Sequence, residues 1–167
     1  MSKKVSASDL EGFAAEVQLL KDKAEIRATL DRYWFGEDRC DPGIVASAFT
    51  EDAHYGTMHG HDDIRKVMKG LEAYDSMQHC FASSNIDIDG DNATADTMAV
   101  GFNVGPNDNG EQRVLVRGLR YIDELVRTDD GWVIKRRRGH DEPEHGHDTF
   151  WQFEGVTTEV WHPKARP

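Results

Sequence analysis

Asp89-Gly90-Asp91-Asn92, Gly105-Pro106-Asn107-Asp108-Asn109-Gly110 and Thr128-Asp129-Asp130-Gly131 punctuate the second half of this chain. Each cluster is built of residues that tolerate a positive φ or bond their own backbone, and each sits between runs rich in β-branched and aromatic side chains. Three such turns predict four consecutive antiparallel strands, over about 77–88, 93–104, 112–127 and 132–139. Several of these exceed the ~5 to 6 residues usual for a strand, which suits a curved sheet wrapped around helices.

Upstream of residue 77 the periodicity changes. Phe13, Val17, Leu20 and Ala24, then Ile26, Leu30, Tyr33 and Trp34, recur at three- and four-residue spacings and predict a long amphipathic helix across about 9–37, weakened at its end by Gly36. Asp41-Pro42 reads as an N-cap with proline at the first helical position, starting a short helix through Ile44, Val45, Ala48 and Phe49. A short strand from His54 to Met58 follows, then a third helix from about Asp62 that carries Ile64, Val67, Met68 and Leu71 and ends near Gly70 to Tyr74. Helices first and hairpins after define an α+β class, a cone-shaped curved antiparallel sheet wrapped around the N-terminal helices. One domain over 1–167 is expected, with its core at about 18–140 and a tail, 141–167. Phe150, Trp151, Phe153, Val156, Val160 and Trp161 make that tail too apolar for a free linker, so it should pack on the sheet or on a neighbouring subunit of a homo-oligomer, a dimer or trimer.

Twenty Lys and Arg against 31 Asp and Glu give the 167-residue chain a formal charge of -11. That balance argues against nucleic acid and anionic membrane surfaces, which need a basic face. No apolar stretch approaches the ~20 residues that span a bilayer, and Met1-Ser2-Lys3-Lys4 leads into a polar helix, so a cytoplasmic protein is expected. Cys40 and Cys80 lack CxxC spacing and suggest neither a disulfide framework nor a zinc knuckle. His79 and Cys80 are adjacent, hence on opposite faces of a strand.

Asp41 is occupied as a cap, whereas Asp38 has no capping job and ends the aromatic-rich run Tyr33-Trp34-Phe35-Gly36-Glu37-Asp38. His79 opens the first hairpin strand. An imidazole whose Nδ1 is held by a carboxylate is a general base that works near neutral pH without a metal or cofactor. No glycine-rich nucleotide loop, Walker motif or flavin signature is present, so no cofactor is expected. His140, His145 and His147 lie among Asp141, Glu142, Glu144 and Asp148, but Pro143 and Gly146 and the irregular spacing make this a solvated loop, with no metal expected.

The aromatic helix ending Tyr33 to Asp38, Phe49-Thr50-Glu51-Asp52, the Gly60 to Ile64 turn into helix, and Asp130-Gly131-Trp132 opening the last strand together resemble the SnoaL-like branch of the nuclear transport factor 2-like superfamily, over about residues 18–140. Within the branch the pattern is similar to scytalone dehydratase, lindane dehydrochlorinase and bile acid 7α-dehydratase. The resemblance implies an Asp38–His79 catalytic dyad, a catalytic Tyr33, and an arginine on the last strand. Arg136, Arg137 and Arg138 are all available for that arginine, and the resemblance to the dehydrochlorinase, counted from the strand tryptophan Trp132, favours Arg137. The implied activity is a cofactor-independent lyase, dehydratase-like, acting on a hydrophobic ring-bearing small molecule. The alternatives are a polyketide-type cyclase or isomerase with the same base, and a non-catalytic binding or assembly subunit. Trp34, His54, Tyr55, Met98, Phe102, Leu119 and Tyr121 are the candidate pocket residues.

Overall fold

The computed structural model describes residues 6–107, 109–139 and 150–154, with the side chains of 67, 68 and 150–154 set aside. Helix α1 spans Ala7–Asp38 and begins with a capping box, in which Ser6 accepts from the Asp9 amide and the Asp9 carboxylate accepts from the Ser6 amide. Helix α2, Pro42–Ser47, starts as read from the sequence, with the Asp41 carboxylate accepting from the amides of Gly43 and Ile44. Strand β1 (Phe49–Tyr55), strand β2 (Met58–His59), helix α3 (Gly60–Ile64) and helix α4 (Val67–Leu71) lead to the long strands β3 (Ser76–Asp89), β4 (Asn92–Pro106), β5 (Gln112–Thr128) and β6 (Gly131–Gly139). A last strand, β7 (Phe150–Glu154), pairs with the beginning of β5.

The sheet order is β2-β1-β6-β5-β4-β3, antiparallel throughout except for the parallel β1–β6 pair. The four hairpin strands match the turn signals to within two residues. Three expectations are corrected. Phe49 does not continue the second helix but opens β1, paired with Ile134, and the chain turns at Gly56 (φ 55°) into β2 instead of running straight to Met58. The single third helix is two short ones, α3 and α4.

Burial divides α1 in two. Asp22, Ile26, Thr29, Leu30, Tyr33, Trp34, Gly36 and Glu37 are buried, whereas Phe13, Val17 and Leu20, expected on the same core face, are exposed. The reason is where the sheet ends. Asp22 accepts from Arg127 (Nη2, 2.8 Å) and Trp132 (Nε1, 3.3 Å) beside the β5–β6 turn, so the helix before it runs past the edge of the sheet. From Asp22 onward α1 lies in the hollow of the sheet, facing the inward residues of β4, of which Ala93, Ala95, Thr97, Ala99 and Gly101 are small. Among the described residues no helix is long and apolar enough to cross a membrane.

Gly36 sets how closely α2 approaches α1. A Cβ there would lie 2.6 Å from the Val45 backbone nitrogen and 2.7 Å from Val45 Cγ2, so no side chain fits without moving α2. Gly36→Ala should therefore cost about 1 to 3 kcal/mol, the usual penalty of overpacking, seen as a lower urea midpoint with unchanged slope. An unchanged midpoint would show that the approach is not tight. The Asp22 carboxyl is held far below the usual carboxylate range by its hydrogen bonds to Arg127, against the opposing effect of burial. Because its folded pKa is depressed, the stability it adds is present above the unfolded value of about 3.9 and is lost as pH falls below it. Asp22→Asn should lower the melting temperature at pH 7 and flatten its fall below pH 4; thermal unfolding across that range checks both.

Candidate active site

The last turn of α1 faces the beginning of β3. Asp38 Oδ1 accepts the His79 Nδ1 proton at 2.7 Å, and the His79 backbone amide donates to the same carboxylate at 3.0 and 3.2 Å. A carboxylate so placed makes Nδ1 the donor of the neutral ring and leaves the lone pair on Nε2. The imidazole is buried, 6% exposed, and stacks on Trp34 with centroids 4.8 Å apart and planes 22° apart. Across the sheet it meets Gly101, its register partner on β4, where a Cβ would sit 3.1 Å from His79 Cδ2 and Nε2. Gly101 therefore makes room for the ring. Cys80, next in the chain, is exposed on the other face.

Glu37 is a member of this cluster that the sequence reading passed over. Its carboxylate accepts from the Tyr33 hydroxyl at 2.6 Å, and its other oxygen, Oε2, lies 3.6 Å from His79 Nε2. Burial pushes the Glu37 carboxyl up, outweighing the lowering effects of His79, Tyr33 and Arg137. The signal was available: Tyr33 and Glu37 are four apart, hence on one helix face, and that face carries Leu30 and Ile26 into the core. Tyr33, catalytic by the resemblance, gives its proton to Glu37 here.

Three phenols meet here. The Tyr33 and Tyr55 hydroxyls lie 3.4 Å apart, and Tyr55 donates to Tyr121 at 3.1 Å. Burial raises the pKa of all three, so they remain neutral donors at physiological pH. Tyr121 accepts from Tyr55 and keeps its own proton to give.

Of the three candidate arginines, Arg137 points inward at 1% exposure, while Arg136 and Arg138 are exposed. Its Nε and Nη2 donate to Asp123 Oδ1 and Oδ2, both at 2.8 Å, a bidentate pair with Asp123 wholly buried. Burial works against the guanidinium charge, but Asp123 holds its pKa above the usual arginine value. The guanidinium carbon lies 4.1 Å from the Tyr33 ring centroid and 4.4 Å from that of Tyr121. Among the described residues neither the buried Arg137 Nη1 nor Trp34 Nε1 has a hydrogen-bond partner. Both are donors within the aromatic interior.

Of the proposed pocket residues, Trp34, Tyr55, Leu119 and Tyr121 line the inside of the cone. Met98, Phe102 and His54 do not. On β4 the odd-numbered residues face inward, so Met98 (48% exposed) and Phe102 (37%) lie on the outer surface. His54 lies between inward-facing Ala53 and Tyr55, pairs edge-on with His59 at 4.4 Å, and lines an outer groove of about 270 Å³ with Gly56, Arg136, Arg137 and Arg138. No group of three or more His, Cys, Asp or Glu placed to hold a metal occurs among the described residues; His140, His145 and His147 lie outside them.

A family model described as the SnoaL-like domain matches residues 18–138. An uncharacterized protein of Mycobacterium tuberculosis is 30% identical over 128 residues, 71% of this chain and 84% of that one. Among solved structures, the hexachlorocyclohexane dehydrochlorinase LinA-type3 of Novosphingobium barchaimii superposes with a TM-score of 0.69 at 14% identity, covering 87% of this chain and 99% of the other. A candidate scytalone dehydratase of Novosphingobium aromaticivorans gives 0.63 at 18% identity, covering 92% and 99%. At those identities the likeness is one of fold, and the fold is that of the nuclear transport factor 2-like superfamily. The family match spans most of the helix-and-sheet core that carries Asp38, His79 and Arg137, and on it the chain belongs to the SnoaL-like domain family.

Proposed function

We propose that the chain is a cofactor-independent lyase for a hydrophobic, ring-bearing small molecule, with His79 as general base and Asp38 as the residue that orients it. The observation that carries this reading is the 2.7 Å contact between Asp38 and His79 Nδ1 within a buried, aromatic interior. A base fixed in one tautomer needs no reorganisation when the substrate arrives, and Asp38 stabilises the imidazolium that forms. The two solved neighbours whose names are a dehydrochlorinase and a candidate dehydratase both belong to elimination chemistry, which favours this class.

In the proposed reaction His79 Nε2 removes a carbon-bound proton and a group departs from the adjacent carbon. Negative charge gathers on an oxygen of the substrate or on the departing group. Arg137 Nη1, Trp34 Nε1 and the Tyr121 hydroxyl are the donors that would meet it in a buried, aromatic interior. Trp34 stacks on Tyr121 at 5.3 Å and 27° as well as on His79, so the base is held in an aromatic stack. The same base and donors would serve a cyclase or isomerase that stabilises an enolate without expelling anything. Product mass separates the two, since elimination releases water or acid. The exposed Leu10, Phe13, Val17 and Leu20 of α1 support a homo-oligomer as the working form.

His79→Ala should lower kcat/KM by roughly 10²- to 10⁴-fold, the usual worth of a general base, and Asp38→Asn should do so with little change in KM. Steady-state kinetics on a ring-bearing substrate that the wild type turns over will check this. Full turnover in both variants would rule the base out. Arg137→Met should also reduce kcat, and because it leaves Asp123 buried without its partner it should cost about 3 to 5 kcal/mol of stability in urea unfolding.

A further inference from the structure

Glu37 does more than fill the end of α1. A buried carboxylate normally has a cation bonded to it, yet among the described residues no arginine or lysine is bonded to Glu37, and its side chain is 6% exposed. One oxygen is occupied by Tyr33. The other, Oε2, has as its polar neighbour His79 Nε2 at 3.6 Å, the atom assigned above as the base. That separation is longer than a hydrogen bond, so the two atoms lie side by side without being joined. A small molecule presented to one is presented to both.

We propose that Glu37 is the general acid of this site and that the group expelled is a hydroxyl leaving as water, not a halide. The inference rests on the lyase reading. His79 Nε2 takes the proton from carbon, and that C–H pair becomes the new C=C bond. The C–O bond breaks toward oxygen, and the leaving oxygen takes the proton from Glu37 Oε2. The enzyme is left with imidazolium and carboxylate 3.6 Å apart, and transfer of the proton from Nε2 to Oε2 restores it. The sum is loss of one water molecule, with no net proton taken or released.

Three further features fit this role. Burial pushes the pKa of the Glu37 carboxyl up, against the lowering effects of His79, Tyr33 and Arg137. Tyr33, donating to Oε1 at 2.6 Å, steadies the carboxylate afterwards. The dyad supplies the base without drawing on Glu37, because Asp38 alone holds Nδ1. A halide departs as a stable anion and gains little from an acid, whereas hydroxide is a poor leaving group in a dry site and needs one. The substrate class is therefore a ring-bearing compound with a hydroxyl on the carbon next to an acidic C–H, as in a β-hydroxy ketone.

The test compares a β-hydroxy aryl ketone with the β-chloro ketone of the same skeleton, on wild type, Glu37→Gln and His79→Ala. Glutamine keeps an oxygen for Tyr33 but has no proton of acidic strength to give. Elimination of water should fall roughly 10²- to 10⁴-fold in Glu37→Gln, while loss of chloride and exchange of the α-proton in D₂O continue; His79→Ala should lose all three. Equal losses of water and chloride in Glu37→Gln, or unchanged water loss, would overturn the general-acid role while leaving the base intact. Wild type that neither eliminates from nor exchanges either ketone would count against the lyase reading and this inference with it. Infrared spectroscopy gives a check free of substrate: a protonated carboxyl band present at pH 7 in wild type and absent from Glu37→Gln is expected, and its absence from wild type would overturn the proposal.

Discussion

The fit of one helix into the hollow of the sheet is the constraint on which the rest depends. A sheet that curls around α1 must leave volume for it, and the inward row of β4 does so with Ala93, Ala95, Thr97, Ala99 and Gly101. The freed volume is filled from the helix by Ile26, Leu30, Tyr33 and Trp34 and from the facing strands by Leu119, Tyr121 and Leu125. Because close packing fixes the rotation of α1, the turn that buries Tyr33 also directs Glu37 inward and carries Asp38 to the start of β3. The site is thus a consequence of how the helix is seated.

The interior holds more charge than a core of this kind usually does, and each charged group has a distinct answer to burial. Arg137 and Asp123 neutralise each other through a bidentate pair. Asp38, less buried than its neighbours, is satisfied by the ring and amide of His79. Among the described residues no arginine or lysine is bonded to Glu37, and burial pushes its pKa up.

Much of this was legible in the sequence, and what was not has a physical cause. The hairpins could be read because turn residues act locally, and the α2 cap because Asp41-Pro42 has a single good geometry. The rotation of α1 could not be taken from hydrophobic spacing alone, since Phe13, Val17 and Leu20 continue the apolar stripe beyond the end of the sheet. Met98 and Phe102 were misplaced for the opposite reason to the usual one. On β4 the large apolar residues face outward and the small ones inward, so ranking positions by hydrophobicity selects the wrong face. Asp123 resembles a surface residue until its partner Arg137 is seen, whereas Glu37 could have been read from its helix face shared with Tyr33. The Asp38–His79 meeting was expected from resemblance; the second carboxylate beside the ring was not.

The orientation of His79 is tested most directly by its tautomer. Long-range ¹H–¹⁵N correlation spectra of ¹⁵N-histidine protein, recorded where the ring is neutral and assigned by comparison with His79→Ala, report which nitrogen carries the proton. A base held by Asp38 must show the proton on Nδ1 and a bare Nε2, a preference that weakens in Asp38→Asn. A wild-type ring protonated on Nε2 would have no lone pair where the substrate must be deprotonated, and would contradict the assignment of His79 as the base.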